Sequence, residues 1–258
     1  MTSPANPMLK DVRRAIARGG LDRDGCMVAE TFHLLEEALR GNLKIKAILA
    51  ADSVHSAVRD RLRGRVGIRV TVVADPLFQK LAATESSQGV ITLAKPPAWN
   101  LEDCLRAPSL VIVLDGLQDP GNAGAIVRAA EAFGATGVLF TKGTASPFNP
   151  KALRASAGSL FRIPFVHNLD VALARAVLEK HKFAVYAAMP SKAEPPAAVD
   201  LTRNCALVIG SEAHGVSEQM RAGAIGLSIP TVGVESLNAA VAAGILLYEA
   251  QRQRSSRP

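Results

Sequence analysis

Three stretches of the sequence combine polar side chains with glycine at spacings that could build a site. The first runs Leu114-Asp115-Gly116-Leu117-Gln118-Asp119-Pro120-Gly121-Asn122-Ala123-Gly124-Ala125-Ile126-Val127-Arg128. An apolar run enters a Gly/Pro-rich loop and then a helical pattern, so backbone N–H groups stand unpaired at the helix start. Asn122 reads as the cap of that helix, and Arg128 follows within two turns. The second stretch, Val208-Ile209-Gly210-Ser211-Glu212-Ala213-His214-Gly215, ends an apolar run in a glycine-flanked loop that presents the carboxylate of Glu212. In the third, Ile229-Pro230-Thr231-Val232-Gly233-Val234-Glu235-Ser236-Leu237-Asn238, a strand stops at proline. Ser236 and Asn238 then open a helix of small residues. Taken singly, each stretch also fits an ordinary structural part: a capped core helix or a solvated loop.

Several chemistries have no support. The first loop reads GNAG, not the GxGxxG that turns a dinucleotide pyrophosphate. There is no GxSxG elbow. The five histidines lie scattered without metal-ligand spacing, so no metal site is expected. Cys26, Cys104 and Cys205 stand far apart with no CxxC and read as reduced thiols.

The surrounding elements divide in two. Residues 1–95 alternate helix and strand: helices over Met8–Arg18, Thr31–Arg40, Val54–Arg63 and Pro76–Ala82, strands over Cys26–Ala29, Ile45–Leu49, Val70–Val73 and Gly89–Leu93. This is the pattern of a small α/β domain. The paired prolines of Lys95-Pro96-Pro97-Ala98 mark a linker over 96–107. From 108 to 258, apolar strands at Leu110–Leu114, Gly137–Phe140, Ala184–Ala188, Ala206–Ile209 and Leu227–Ile229 alternate with helices at Ala123–Phe133, Lys151–Ser159, Val171–His181 and Leu237–Gln251. That alternation predicts a parallel sheet covered on both faces. Ligands then bind beyond the carboxyl ends of the strands, where all three polar stretches fall.

The 258 residues are 48% apolar but only 4% aromatic, so the cores are aliphatic. A net charge of +7 and a pI near 9.6 suit a polyanionic partner or a solvated basic surface equally well. The densest charge is the run Arg59, Arg61, Arg63, Arg65, Arg69. The N-terminus holds no apolar run long enough for a signal peptide, and the most apolar windows are too short or interrupted to span a bilayer. A soluble, cytoplasmic protein is expected.

The combination NxGxxxR, GSExxG and IPxxGxxSLN, in this order after successive strands, resembles the SpoU (TrmH-type) branch of the SPOUT RNA methyltransferases over roughly residues 108–252. Arg154-Ala155-Ser156-Ala157-Gly158 and Arg162-Ile163-Pro164 fit the same pattern. The first part resembles the substrate-binding domain that often precedes it, including Leu81-Ala82-Ala83-Thr84 and Gln88-Gly89-Val90. The middle motif departs from the commoner GNExxG with glycine after the acid, having Ser211 and Ala213 instead.

The resemblance implies an α/β fold in which a small N-terminal α/β substrate-binding domain precedes an α/β-knot, a trefoil-knotted parallel sheet. It implies methyl transfer from S-adenosylmethionine to a ribose 2′-hydroxyl in RNA, rRNA in preference to tRNA. By the same resemblance Gly210, Ile229 and Leu237 contact the cofactor, and Arg128, Asn122, Glu212, Ser236 and Asn238 carry or support catalysis. Arg154, Arg59, Arg61 and Arg63 are the expected RNA contacts, and the protein is expected to be a homodimer through its C-terminal domain. The competing reading is a non-catalytic, dimeric RNA-binding scaffold. An arginine as general base sits uneasily with its fixed charge, so Arg128 is expected to orient RNA and stabilise alkoxide charge.

Overall fold

A computed structural model describes residues 6–84, 86–191 and 193–256. The chain forms two compact units: one holds the described residues up to Ala98 together with Ser146–Arg162, the other Trp99–Ala145 and the chain from Ile163 onward. The 1–95 boundary is close to the first change of unit, but 146–162 belongs to the N-terminal unit, which the sequence pattern did not suggest.

In the N-terminal unit, α1 (Pro7–Arg18) opens on Pro7 at its first position, with Asn6 accepting from the Met8 N–H, and closes on left-handed Gly19. Then follow β1 (Met27–Glu30), α2 (Phe32–Arg40), β2 (Ile45–Ala51), α3 (His55–Arg61), β3 (Val70–Val73), α4 (Asp75–Gln79) and β4 (Val90–Ala94). The sheet order is β1-β4-β2-β3, with β4 antiparallel to both neighbours and β2 parallel to β3. Alternation along β2 fills two cores. Ala47, Leu49 and Ala51 pack with Leu9 and Val12 of α1 and Phe78 of α4, while Ile48 and Ala50 pack with Leu35 of α2 and Val58 of α3. The result is a three-layer α/β/α unit.

The second unit begins inside the expected 96–107 linker, which is not all linker. Asn100 and Asp103 form a capping box, and α5 (Leu101–Cys104) packs into the core, with a Cys104 thiol that burial pushes up to about 12. Next come β5 (Leu110–Asp115), α6 (Pro120–Ala132) and β6 (Gly137–Thr141). Gly137 is required where β6 passes α5, because a Cβ there would overlap the Cys104 side chain.

The chain then contributes α7 (Pro150–Ser156) to the N-terminal unit. This helix was expected to reach Ser159, but Ala157 and Gly158 both take left-handed backbone and end it. Two carboxylates buried in the N-terminal unit hold this segment. Glu30, 1% exposed, pairs with Arg154 at 3.3 Å and accepts from the Ala83 N–H and Thr84 Oγ1. Glu37, 3% exposed, pairs with Arg162 and with Arg40.

Returning to the second unit, the chain forms β7 (Phe165–Leu169), α8 (Val171–Lys180), β8 (Ala184–Ala188), β9 (Cys205–Gly210), α9 (Glu218–Arg221), β10 (Ile225–Leu227) and α10 (Ala239–Ser255). All pairings in the sheet β10-β8-β9-β5-β6-β7 are parallel. Val111, Val113, Ala206 and Val208 face a core with Ala174 and Leu178 of α8 and Met220 of α9. The opposite face is covered by α6 and α10, which pack together and meet edge-on through Phe133 and Tyr248. The far end of α10 is pinned. Arg254 donates to the carbonyls of Leu201 (2.9 Å), Ser109 (2.9 Å) and Arg203 (2.7 Å), and Gln253 Oε1 accepts from the Leu201 N–H.

The α/β class and parallel C-terminal sheet agree with the sequence pattern. Several elements do not: β7 and the short helices α5 and α9 were missed, and the last strand is Ile225–Leu227, not Leu227–Ile229. β7 is an edge strand whose middle residues are partly or fully exposed, so Phe165-Val166-His167-Asn168-Leu169 lacks an apolar run.

Candidate active site

Because every strand of the second sheet runs the same way, the loops after β5, β9 and β10 emerge at one edge. Each carries one of the three polar stretches. The loop after β9 is closed by reciprocal hydrogen bonds between Ser211 and Gly215, and Ser211 Oγ accepts the His214 N–H at 3.1 Å. Gly210 permits this, since a Cβ would fall on the backbone of Gly215 and Val216. Serine in place of the family's commoner asparagine thus still closes the loop.

The expected helix cap proves to be another residue. Asp119, not Asn122, caps α6: its carboxylate accepts the Asn122 N–H at 2.7 Å, and Pro120 takes the first helical position. The Asn122 side chain is thereby left to turn outward. Its Nδ2 donates to Glu212 Oε1 at 2.7 Å, and its Oδ1 accepts from Asn238 Nδ2 at 3.1 Å. Asn238 Oδ1 in turn caps α10 by accepting from the Ala240 and Val241 N–H groups. The direction of this relay is fixed at both ends. An ionised carboxylate only accepts and a backbone N–H only donates, so each amide has one consistent orientation. The three polar stretches are joined through it.

Beside the relay lies a cavity of about 760 Å³. Gly210, Ile229 and Leu237, the three expected cofactor contacts, all line it, as do Glu212, Ser236 and Asn238. Its size is within the roughly 300–1,000 Å³ usual for small-molecule sites. A wall of glycine, aliphatic side chains and loop backbone fits an adenosine-bearing ligand the size of S-adenosylmethionine. Asn122 reaches this group through its hydrogen bonds. Arg128 does not line the cavity; it is exposed on α6, with no hydrogen bond or ion pair among the described residues.

The expected RNA contacts fare unevenly. Arg154 is paired to buried Glu30. Arg61 is held by Glu36 at 2.7 Å and lies 4.2 Å from the centre of the Phe32 ring, and Arg63 pairs with Asp60 at 2.9 Å. Each already has an internal partner, distant in sequence for Arg154 and Arg61 and three residues away for Arg63. Arg59 is exposed without one among the described residues.

Other residues had no signal in sequence. Met189 and Pro190, following β8, line the cavity because β8 neighbours β9. Asp115 ends β5, 5% exposed. It accepts the Ser217 N–H at 2.7 Å and the Thr141 hydroxyl at 3.2 Å, bracing the far side of the Glu212 loop. A strand ending in an acid at the ligand edge was its available clue. Asp11, Asp22 and Asp24 bring their oxygens within 4.8 Å of one another in the N-terminal unit, but they accept from the N–H groups of Arg23 and Cys26 and from Lys46.

The sequence and the fold that carry this cavity and relay are similar to those of known RNA-modifying enzymes. Residues 109–248 match the SpoU rRNA Methylase family, and residues 6–92 match the MRM3-like substrate binding domain. The chain is 32% identical to the 23S rRNA (guanosine(2553)-2′-O)-methyltransferase RlmP of Bacillus subtilis, covering 95% of this chain and 96% of that one. The SpoU methyltransferase AviRb from Streptomyces viridochromogenes, solved with AdoMet, superposes with a TM-score of 0.87 at 26% identity over 98% of this chain and all (100%) of that one. The TrmH/SpoU tRNA modifying enzyme of A. aeolicus covers only 58% of this chain and 78% of its own, with a TM-score of 0.51 and 29% identity. The chain belongs to the SpoU rRNA methylase family. It is an S-adenosylmethionine-dependent RNA 2′-O-methyltransferase.

Proposed function

We propose that the acceptor of this methyltransferase is a guanosine ribose 2′-hydroxyl of large-subunit rRNA. The observation that carries this reading is the likeness, over nearly the whole chain, to a 23S rRNA guanosine 2′-O-methyltransferase. The relay from Asn238 through Asn122 to Glu212 beside the cavity supports the methyl-transfer site. RlmP, similar to this chain over nearly its whole length, acts on 23S rRNA, whereas the tRNA-modifying enzyme matches little more than half of it.

S-adenosylmethionine, when bound, supplies a methyl group on a positively charged sulfur. No covalent enzyme intermediate is then needed, and the protein's tasks are positioning and handling of the hydroxyl proton. Gly210, Ile229 and Leu237 hold the cofactor through the cavity wall. Asn122 and Asn238 fix the Glu212 loop against the starts of α6 and α10. Arg128, exposed and without a partner, is available to an RNA phosphate and stabilises negative charge developing on the ribose oxygen. Ser236, exposed on the loop before α10, faces the same cavity. Arg59 remains a candidate RNA contact.

Val241, Ile245 and Tyr248 are 51%, 39% and 55% exposed and follow one another at helical spacing on α10. Such an apolar stripe supports the homodimer, and glutamate at Ile245 should release monomers in light scattering. We place the protein in the cytoplasm with its substrate; no helix among the described residues is long and apolar enough to cross a membrane.

The test is methyl transfer from labelled cofactor to deproteinised 23S rRNA and, separately, to tRNA, with the product nucleoside identified by mass spectrometry. Label as 2′-O-methylguanosine in 23S rRNA is expected. Label confined to tRNA overturns the substrate, and no label in either favours the non-catalytic scaffold.

A further inference from the structure

Several cations of the N-terminal unit have carboxylate partners, Lys44, Arg59, Arg69 and Lys80 stand singly without one among the described residues, and four more share one helix. Arg23, Lys46, Arg61, Arg63, Arg154 and Arg162 stand against carboxylates. Lys10, Arg13, Arg14 and Arg18 are all exposed on α1 and have no acceptor or carboxylate partner among the described residues. At 3.6 residues per turn these four share an arc of about 140°, spread over about 12 Å of helix axis. Leu9, Val12 and Ala15 are buried on the other side. The only acid in the helix, Asp11, is 9% exposed and turned to the Arg23 N–H at 3.1 Å, so nothing on the outer face neutralises the four charges. The face is also rigid, capped by Asn6 and closed by left-handed Gly19. Besides the four cations it shows only Pro7 and Ala17 to solvent, with no aromatic ring to stack on a base.

We propose that this face of α1 is a docking surface for the phosphodiester backbone of the substrate RNA, binding it without regard to sequence. The proposal rests on the rRNA reading above. Like-charged side chains left unpaired on one rigid face repel each other and hold condensed anions. A polyanion relieves both, with release of its own counterions. The run Arg59–Arg63 predicted from sequence is the weaker candidate because Asp60 and Glu36 lie among its charges.

The test uses the full chain with Lys10, Arg13, Arg14 and Arg18 all replaced by Gln, and measures binding to a 23S rRNA transcript and to an unrelated RNA of equal length over a range of salt. The expected result is a loss of about tenfold or more on both RNAs. The slope of log affinity against log salt should fall by about 3, from four lost phosphate contacts. Cofactor affinity and thermal midpoint should match those of the unsubstituted protein. Unchanged RNA affinity overturns the proposal, as does a loss with an unchanged salt slope. So does retained RNA binding alongside lost binding to phosphatidylglycerol vesicles, which would assign the face to a membrane. An unsubstituted protein that binds rRNA with this salt dependence but transfers no methyl group overturns the enzymatic reading alone.

Discussion

Carboxylates are used in opposite ways in the two units. In the N-terminal unit, Glu30 and Glu37 are buried and each meets at least one arginine, so charge is spent on holding the 146–162 segment. In the second unit, Glu212 is exposed and meets only the neutral amide of Asn122. A buried carboxylate facing guanidinium groups is bound to its place, because losing either partner strands a charge. An exposed one held by an amide keeps its orientation while its second oxygen stays open to solvent and ligand. On the proposed function, the contrast separates residues that build the scaffold from those assigned to the substrate. Arg128 is grouped with the second set, since it too has no carboxylate partner among the described residues.

The strongest challenge to that division is at Arg128. Arg128→Ala and Arg128→Lys should each lower kcat by about 10³-fold, the upper range for losing a group that stabilises transition-state charge, with cofactor affinity unchanged by calorimetry. Near-normal turnover in either would return Arg128 to the solvated surface. Glu30→Ala should cost about 3 kcal/mol of stability in denaturant titration while leaving turnover of the folded enzyme intact. Glu212→Ala should do the reverse, and a comparable stability loss in both would erase the contrast. Asn122→Ala should lower kcat/KM by about tenfold, or about 1.4 kcal/mol, by freeing Glu212 and Asn238 together. If removing Asn122 and Glu212 simultaneously gives the sum of the single effects, the relay does not act as a unit.

The smallest effect concerns a third kind of carboxylate. Asp200 is held down to about 2 by the Thr202 hydroxyl and then by the Thr202 N–H, with Arg203 beside it. A depressed carboxyl stabilises the fold above its unfolded value and loses that contribution as pH falls through its folded value. Between about pH 4 and 2 the unsubstituted protein should therefore lose stability slightly faster than Asp200→Asn. Parallel curves would show that this exposed loop contributes nothing.

Much of this is legible in the sequence. The aliphatic strands Leu110–Leu114 and Ala206–Ile209 announced a buried parallel sheet, and the three polar stretches announced its ligand edge. What escaped were facts that depend on particular contacts, some local and others distant in sequence. Asn122 looked like a cap because asparagine favours that position; only the pairing of Asp119 with Pro120 decided otherwise. Arg154 and Arg61 looked like RNA contacts because their carboxylate partners, Glu30 and Glu36, cannot be seen from the linear order, whereas Arg63 pairs with nearby Asp60. Met189 enters the cavity through strand adjacency, which periodicity does not encode. The four cations of α1 are plain in the sequence, but their lack of a carboxylate partner is a property of the fold.

The pinning of α10 has a mechanical side. Its 17 residues make a rod about 25 Å long, with Asn238 at one end beside the cavity and Gln253 and Arg254 fastened to carbonyls and an N–H at the other. A helix transmits displacement along its axis with little give. Asn238 at the cavity and Arg254 at the tail are thus the two ends of one stiff element, each end fixed by its own hydrogen bonds.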